Sequence, residues 1–166
     1  SLAEDMLVIA DDSTPQAIAG VIGGASSEVS TTTKHVAFES AYFLPTSIRR
    51  TSKRLPASTD ASYRFERGAD INAPVTAMRR AQELMSAIGA GQIIGKTLDH
   101  YPSPQQNTVI GLRLSRINRV LGVTIDAPFV SDVLQRLGFG VELLPDRATQ
   151  WRISVPSFRV DVKLEI

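Results

Sequence analysis

The chain contains no cysteine. Disulfides and thiolate metal sites are therefore excluded, and a cytoplasmic home fits. Histidine occurs only twice, at His35 and His100, and neither accompanies a nucleophile motif. No catalytic triad can be assembled, and the ligand spacing of a zinc site is absent. No apolar run approaches the roughly 20 residues of a membrane span, and no basic segment followed by an apolar one marks a signal peptide. No charge imbalance points to nucleic acid either, because the net charge is +1. Aromatics make up only 6% of the residues, so few stacking platforms for bases are available.

What is present is an ordinary globular composition, 43% hydrophobic and 21% charged over 166 residues. That length suits one domain or two small ones. Tyr101-Pro102-Ser103-Pro104-Gln105-Gln106-Asn107 has little to bury and reads as a linker. The expected fold is α+β in two small domains, residues 1–103 and 104–166.

In the first domain, residues 6–10 read as a buried strand, stopped by Asp11-Asp12-Ser13. Pro15 argues against a central strand position, and residues 17–22 resume as a second strand of a hairpin. Residues 35–43 alternate as a third strand, with Glu39 flanked on its own face by Ala37 and Ala41. Residues 45–55 predict a short helix with a basic face, ended by Pro56. Residues 57–68 read as a loop leading into a turn of helix. Asn72, Pro74 and the spacing of Val75, Met78, Ala81, Leu84, Met85 and Ile88 predict a helix stopped by Gly89. Residues 92–98 read as a further strand.

In the second domain, residues 108–114 alternate as a strand. Residues 115–121 and 128–137 predict helices stopped by Gly122 and Gly138, the second with Phe129, Val130, Val133, Leu134 and Leu137 on its apolar stripe. Residues 140–144 and 150–155 predict a hairpin across Pro145-Asp146-Arg147. Two short helices followed by a hairpin is a winged-helix-like order.

Gly20, Gly23 and Gly24 form no phosphate loop, since no Gly-Lys-Ser/Thr follows. They read either as a turn requiring positive φ or as a place where a ligand approaches the backbone. Glu39 is a lone carboxylate in an apolar strand, costly unless paired or hydrated. Its partner is either an arginine such as Arg64 or Arg67, or a polar group of a bound ligand. Arg64, Glu66 and Arg67 read as a solvated or self-paired network. Thr59, Asp60 and Ser62 suit caps and turns. Arg113, Arg116, Arg119 and Arg136 are candidates for phosphate contact, or are simply solubilising.

Three segments carry a resemblance. Ala19-Gly20-Val21-Ile22-Gly23-Gly24, Glu39-Ser40-Ala41-Tyr42-Phe43 and Thr59-Asp60-Ala61-Ser62-Tyr63-Arg64-Phe65-Glu66-Arg67-Gly68 follow in fixed order. The likeness continues through Leu121-Gly122, Leu137-Gly138-Phe139 and Val155-Pro156-Ser157-Phe158-Arg159-Val160-Asp161. Together they are similar to the beta chain of bacterial phenylalanyl-tRNA synthetase, over nearly the whole chain. The resemblance implies the second half of that chain's editing domain followed by its next small domain, without the first half that supplies histidines to the same pocket.

It implies that Gly23 and Ala61 shape an editing pocket, that Glu39 reads a tyrosine phenol, and that Thr59 helps position the aminoacyl ester. A positioned water, helped by the terminal ribose hydroxyl, would attack that ester. It further implies Asp161 as one ligand of an incomplete Mg²⁺ site. ATP and Mg²⁺ would serve the whole enzyme, with neither held tightly here. The implied partners are an alpha subunit, in an assembly of two alpha and two beta chains, and phenylalanine tRNA. The alternative is a non-catalytic RNA-binding or scaffold module carried by residues 107–166.

Overall fold

The structure, a computed structural model, describes residues 2–145, 147 and 149–165. The chain divides into two compact units, residues 1–98 and 99–166. The architecture is mixed α+β, with two small sheets and five α-helices among the described residues.

In the first unit, strands β1 (Val8–Ala10), β2 (Pro15–Ile18) and β3 (Ile22–Gly23) form an antiparallel sheet in the order β1-β2-β3. The expected second strand is thus two strands. The chain turns at Gly20, whose φ of +65° is open to glycine at little cost. A Cβ there would also meet Phe43 and Ile48 side chains at 2.8 and 2.9 Å. Pro15 does enter the central strand, against expectation. It does so at the first residue, beside a break in the β1–β2 register, where no ladder hydrogen bond is lost.

Helix α1 (Pro45–Arg54) follows the prediction and starts with a proline at its first position. Its inner face buries Ile48, Thr51 and Ser52. Helix α2 (Asp60–Phe65) forms from the expected turn. Ala19, Val21, Phe43 and Ile48 make the core of the unit, with Ile9, Ile18, Ala41, Ala57 and Phe65 packed around them. Phe43 and Phe65 meet edge to face, with centroids 5.0 Å apart.

Two expected strands are absent from the ladders. Residues 35–43 and 92–98 pair with no described strand. Alternation prepares a segment to lie in a sheet, but a strand exists only where a neighbour supplies hydrogen bonds. The alternation of residues 35–43 still governs its end, where Ala41 and Phe43 join the core while Val36 and Phe38 stay exposed. Helix α3 (Ala73–Ala87) forms over the predicted span, but buries no residue. Leu84 and Ile88 of its apolar stripe are exposed. Asn72 makes no side-chain cap. The Asp70 carboxylate takes its backbone N–H instead.

In the second unit, β4 (Val109–Arg113), β6 (Gln150–Ser154) and β5 (Gly140–Leu143) form an antiparallel sheet in the order β4-β6-β5. Helices α4 (Leu114–Leu121) and α5 (Ala127–Arg136) come between β4 and β5 in the chain. Gly122 closes α4 in the left-handed region, and Asp126 caps α5 by accepting from the Phe129 N–H. The register places Ile110, Ile153 and Val141 side by side, and Leu112, Trp151 and Leu143 beside them. Trp151 is wholly buried, and its indole N–H donates to the Ser131 hydroxyl at 2.9 Å. Val130, Phe139, Ile153 and Val155 complete that core. Phe129 and Leu137, expected on the buried stripe of α5, are exposed. The span of α5 leaves room inward for Val130 and, in part, Val133 and Leu134. Asp146 of the expected turn lies outside the described residues.

Candidate functional site

A cavity of about 450 Å³ lies in the first unit between the β2–β3 hairpin, the extended segment before α1, and α2. Gly20, Val21 and Gly23 come from the hairpin, Glu39, Ala41 and Phe43 from the extended segment, and Ala61 and Phe65 from α2. Gly23, Glu39 and Ala61 therefore line one hollow, although 38 positions separate the first from the last.

Gly23 has open space where a Cβ would stand. A side chain there would enter the cavity rather than strain the backbone. Gly24 is constrained differently, because a Cβ would lie 2.7 Å from the Gln16 carbonyl oxygen. Its own N–H donates to that oxygen at 2.7 Å. Gly23 thus answers to the hollow and Gly24 to the hairpin. Sequence reading could not separate the two roles within the doublet.

Glu39 is exposed by area, yet its carboxyl is withdrawn enough from water to sit above the usual carboxylate range, with desolvation as the cause. No salt bridge or side-chain hydrogen bond ties it to another described residue. Arg67, one candidate partner, pairs with Glu66 at 2.8 Å and stacks over the Tyr63 ring at 3.5 Å. Arg64 has no acidic partner among the described residues. The Glu39 carboxyl is thus available to a polar group entering the cavity.

Thr59 stands behind the hollow and does not line it. Its hydroxyl donates to the Val21 carbonyl at 2.6 Å and accepts from the Ser62 N–H at 3.1 Å. Ser62 reciprocates by accepting from the Thr59 N–H at 2.9 Å. This closed capping box starts α2 and ties it to the hairpin. Ser62, 99% buried, is the capping partner that the cap-and-turn reading of Thr59, Asp60 and Ser62 anticipates. The signal was available as a Thr-x-x-Ser spacing ahead of a helical turn.

Nucleophiles are scarce around the cavity. The Ser40 hydroxyl donates to the Pro74 carbonyl at 2.8 Å. His35 is exposed and is not among the lining residues.

In the second unit, Asp161 is exposed and both of its oxygens accept from the Arg159 guanidinium at 2.9 Å. The Arg159 hydrogen bonds hold its carboxyl below the usual range. Among the described residues, no group of three or more histidines or carboxylates is placed to hold a metal ion. The residues present do not fit a Mg²⁺ cage. Arg113 is clamped by Glu165 at 2.6 Å, and Arg136 lies 3.6 Å from Asp132. Two of the four candidate phosphate contacts are thus already paired. No helix among the described residues is long and apolar enough to cross a membrane.

Residues 1–90 match the B3/4 domain family, and residues 110–166 match the tRNA synthetase B5 domain. Among curated proteins, the chain is 44% identical over 164 residues to the phenylalanine–tRNA ligase beta subunit of Salinibacter ruber, covering 99% of this chain and 19% of that protein. It is 41% identical to the same subunit of Geobacter metallireducens, covering 99% of this chain and 20% of that protein. It is 43% identical to that of Protochlamydia amoebophila, again with 99% and 20% covered. The chain spans about a fifth of the length of these relatives. Its relatives are phenylalanine–tRNA ligase beta subunits, and with more than half of its residues matched the chain belongs to the B3/4 domain family, continued by a tRNA synthetase B5 domain.

Proposed function

We propose that this chain is part of the beta subunit of a phenylalanine–tRNA ligase, and that its first unit helps clear tyrosine wrongly joined to the phenylalanine tRNA. The observation that carries this reading is the Glu39 carboxyl. It lines a hollow beside Gly23 and Ala61, partly desolvated and without a cationic partner among the described residues. Such a group accepts a hydrogen bond from a phenol, which phenylalanine lacks. An apolar pocket alone rejects an added hydroxyl by only about 10²-fold, so a second site that reads the hydroxyl is useful.

In the reaction, water adds to the ester carbonyl carbon. The ester bond then breaks, and the ribose oxygen leaves with a proton. Gly23 and Ala61 leave the volume for the tyrosyl ring, and Glu39 holds its hydroxyl end. Thr59 positions the site by fixing α2 against Val21, with its hydroxyl already engaged. The ligase reaction itself, with ATP and Mg²⁺, the alpha subunit and an assembly of two chains of each kind, belongs to the longer protein. Mg²⁺ ligation by Asp161 would require other carboxylates from that protein and release of Arg159. The B5 unit keeps its winged-helix-like order of two helices and a hairpin as a reading of its shape. Its paired arginines favour an assembly role over RNA contact.

The test is Glu39→Ala in the intact ligase. Clearance of mischarged tyrosyl-tRNA should fall about 10- to 100-fold, the value of a hydrogen bond to a charged group. Phenylalanine charging should change little. Clearance at the wild-type rate would refute the role given to Glu39.

A further inference from the structure

Helix α1 presents a basic face that the core does not explain and a single nearby acid only partly offsets. Its ten residues include Arg49, Arg50, Lys53 and Arg54 and no acid. All four are exposed, opposite the buried Ile48, Thr51 and Ser52. Arg49 and Lys53 stand one turn apart, as do Arg50 and Arg54, and like charges at that spacing repel. Lys53 and Arg54 suit the negative end of the helix dipole, but the two arginines in the middle have no such reason.

One acid is described against this face. Asp5 lies 2.6 Å from Arg54 and 3.7 Å from Arg50. Arg49 and Lys53 have no acidic partner among the described residues. Elsewhere in the chain several arginines are matched locally, as Arg67 by Glu66 and Arg80 by Glu83. Arg113, Arg136, Arg152 and Arg159 each face an acid of the same unit.

The position of α1 gives the face a use. The helix begins two residues after Phe43, which lines the cavity, and packs on α2, whose Ala61 and Phe65 line it too. At 1.5 Å per residue, Lys53 lies roughly 12 Å along the helix axis from Pro45. We propose that the outer face of α1, centred on Arg49 and Lys53, grips the phosphate backbone of the RNA whose 3′ end delivers the ester to the cavity. This rests on the cavity reading given above. Contacts of this kind position a strand without reading its bases. Their strength falls with salt, because each bound cation releases counterions.

The experiment compares three variants in the intact ligase, using mischarged tyrosyl-tRNA and its binding as a function of salt. Arg49→Gln with Lys53→Gln should raise KM for clearance about 10-fold and leave kcat unchanged. The slope of log affinity against log salt should fall by about 1.4, near 0.7 for each lost contact to a single strand. Arg49→Lys with Lys53→Arg keeps both charges and should restore wild-type KM and slope. Glu39→Ala should lower kcat while leaving the salt slope intact. A wild-type KM and slope in the glutamine pair would overturn the α1 assignment, even if an acidic protein were found to bind there. So would a raised KM with an unchanged slope, which marks a structural disturbance. A silent Glu39→Ala beside a flattened slope in the glutamine pair would instead remove the cavity reading and leave the α1 contact standing.

Discussion

The two units build different cores. The second gathers Trp151, Ile153 and Val155 beneath one sheet, each at 3% exposure or less. The first buries the smaller set Ala19, Val21, Phe43 and Ile48, and both units leave large apolar side chains in water, Leu84, Ile88, Ile94 and Leu98 in the first and Phe129, Leu137, Phe158 and Leu164 in the second. Both carry amphipathic patterns of similar quality. Periodicity therefore tells which side of an element is apolar, while burial depends on a second surface to meet it. The charges differ as well. Asp161 and Glu165 of the second unit are drawn down by arginines, and Asp11 of the first by the Ser13 and Thr14 backbone, whereas Glu39 is pushed up by lost hydration.

The contrast is most easily broken at Trp151. If the second unit rests on one consolidated core, Trp151→Ala should cost it about 3–5 kcal/mol. Amide exchange should show its protection lost while that of Ala19 and Val21 in the first unit is retained. Loss of both together would mean that the units do not melt separately.

A smaller effect tests what holds the cavity. Thr59→Val preserves shape but removes the bonds to Val21 and Ser62, and should cost about 1–2 kcal/mol. Thr59→Ser should recover most of that. An unchanged melting curve for Thr59→Val would show that the capping box does not secure α2.

The smallest effect has opposite signs at Glu39 and at the carboxylates Asp161 and Glu165. Asp161 and Glu165 have lowered folded-state values, so their contribution is present above the ordinary carboxylate range and is lost as pH falls through the lowered values. Glu39 has a raised value, so its contribution is full below the ordinary value of 4.5 and is lost as pH rises through the raised one. Glu39→Gln should therefore raise the melting temperature slightly at pH 7 and leave it unchanged near pH 4. Thermal melts at the two pH values check this, and an equal shift at both would contradict the desolvation of Glu39.

Much of this was readable from residue order. Helix α1, helix α3 and the three strands of the second unit fall within a residue or two of their expected limits, because prolines, glycines and apolar spacing mark them strongly. Gly23, Glu39 and Ala61 were anticipated together through the likeness of three segments, and they line one hollow. The missing strands at 35–43 and 92–98 were not foreseeable, since alternation says nothing about where a hydrogen-bonding neighbour lies. Thr59 was expected as a cap as well as, by resemblance, near the ester, and its two bonds make the cap and tie α2 to the hairpin. That depends on Val21, 38 residues away, a proximity that local pattern does not encode.

Trp151 has one further consequence. It is the single tryptophan of the chain, and it sits sealed in the second unit with its indole N–H satisfied by Ser131. The tryptophan emission of this protein, as distinct from that of Tyr42 and Tyr63, therefore reports on one half only. A ligand arriving at the Glu39 hollow will be dark to it unless the two halves communicate.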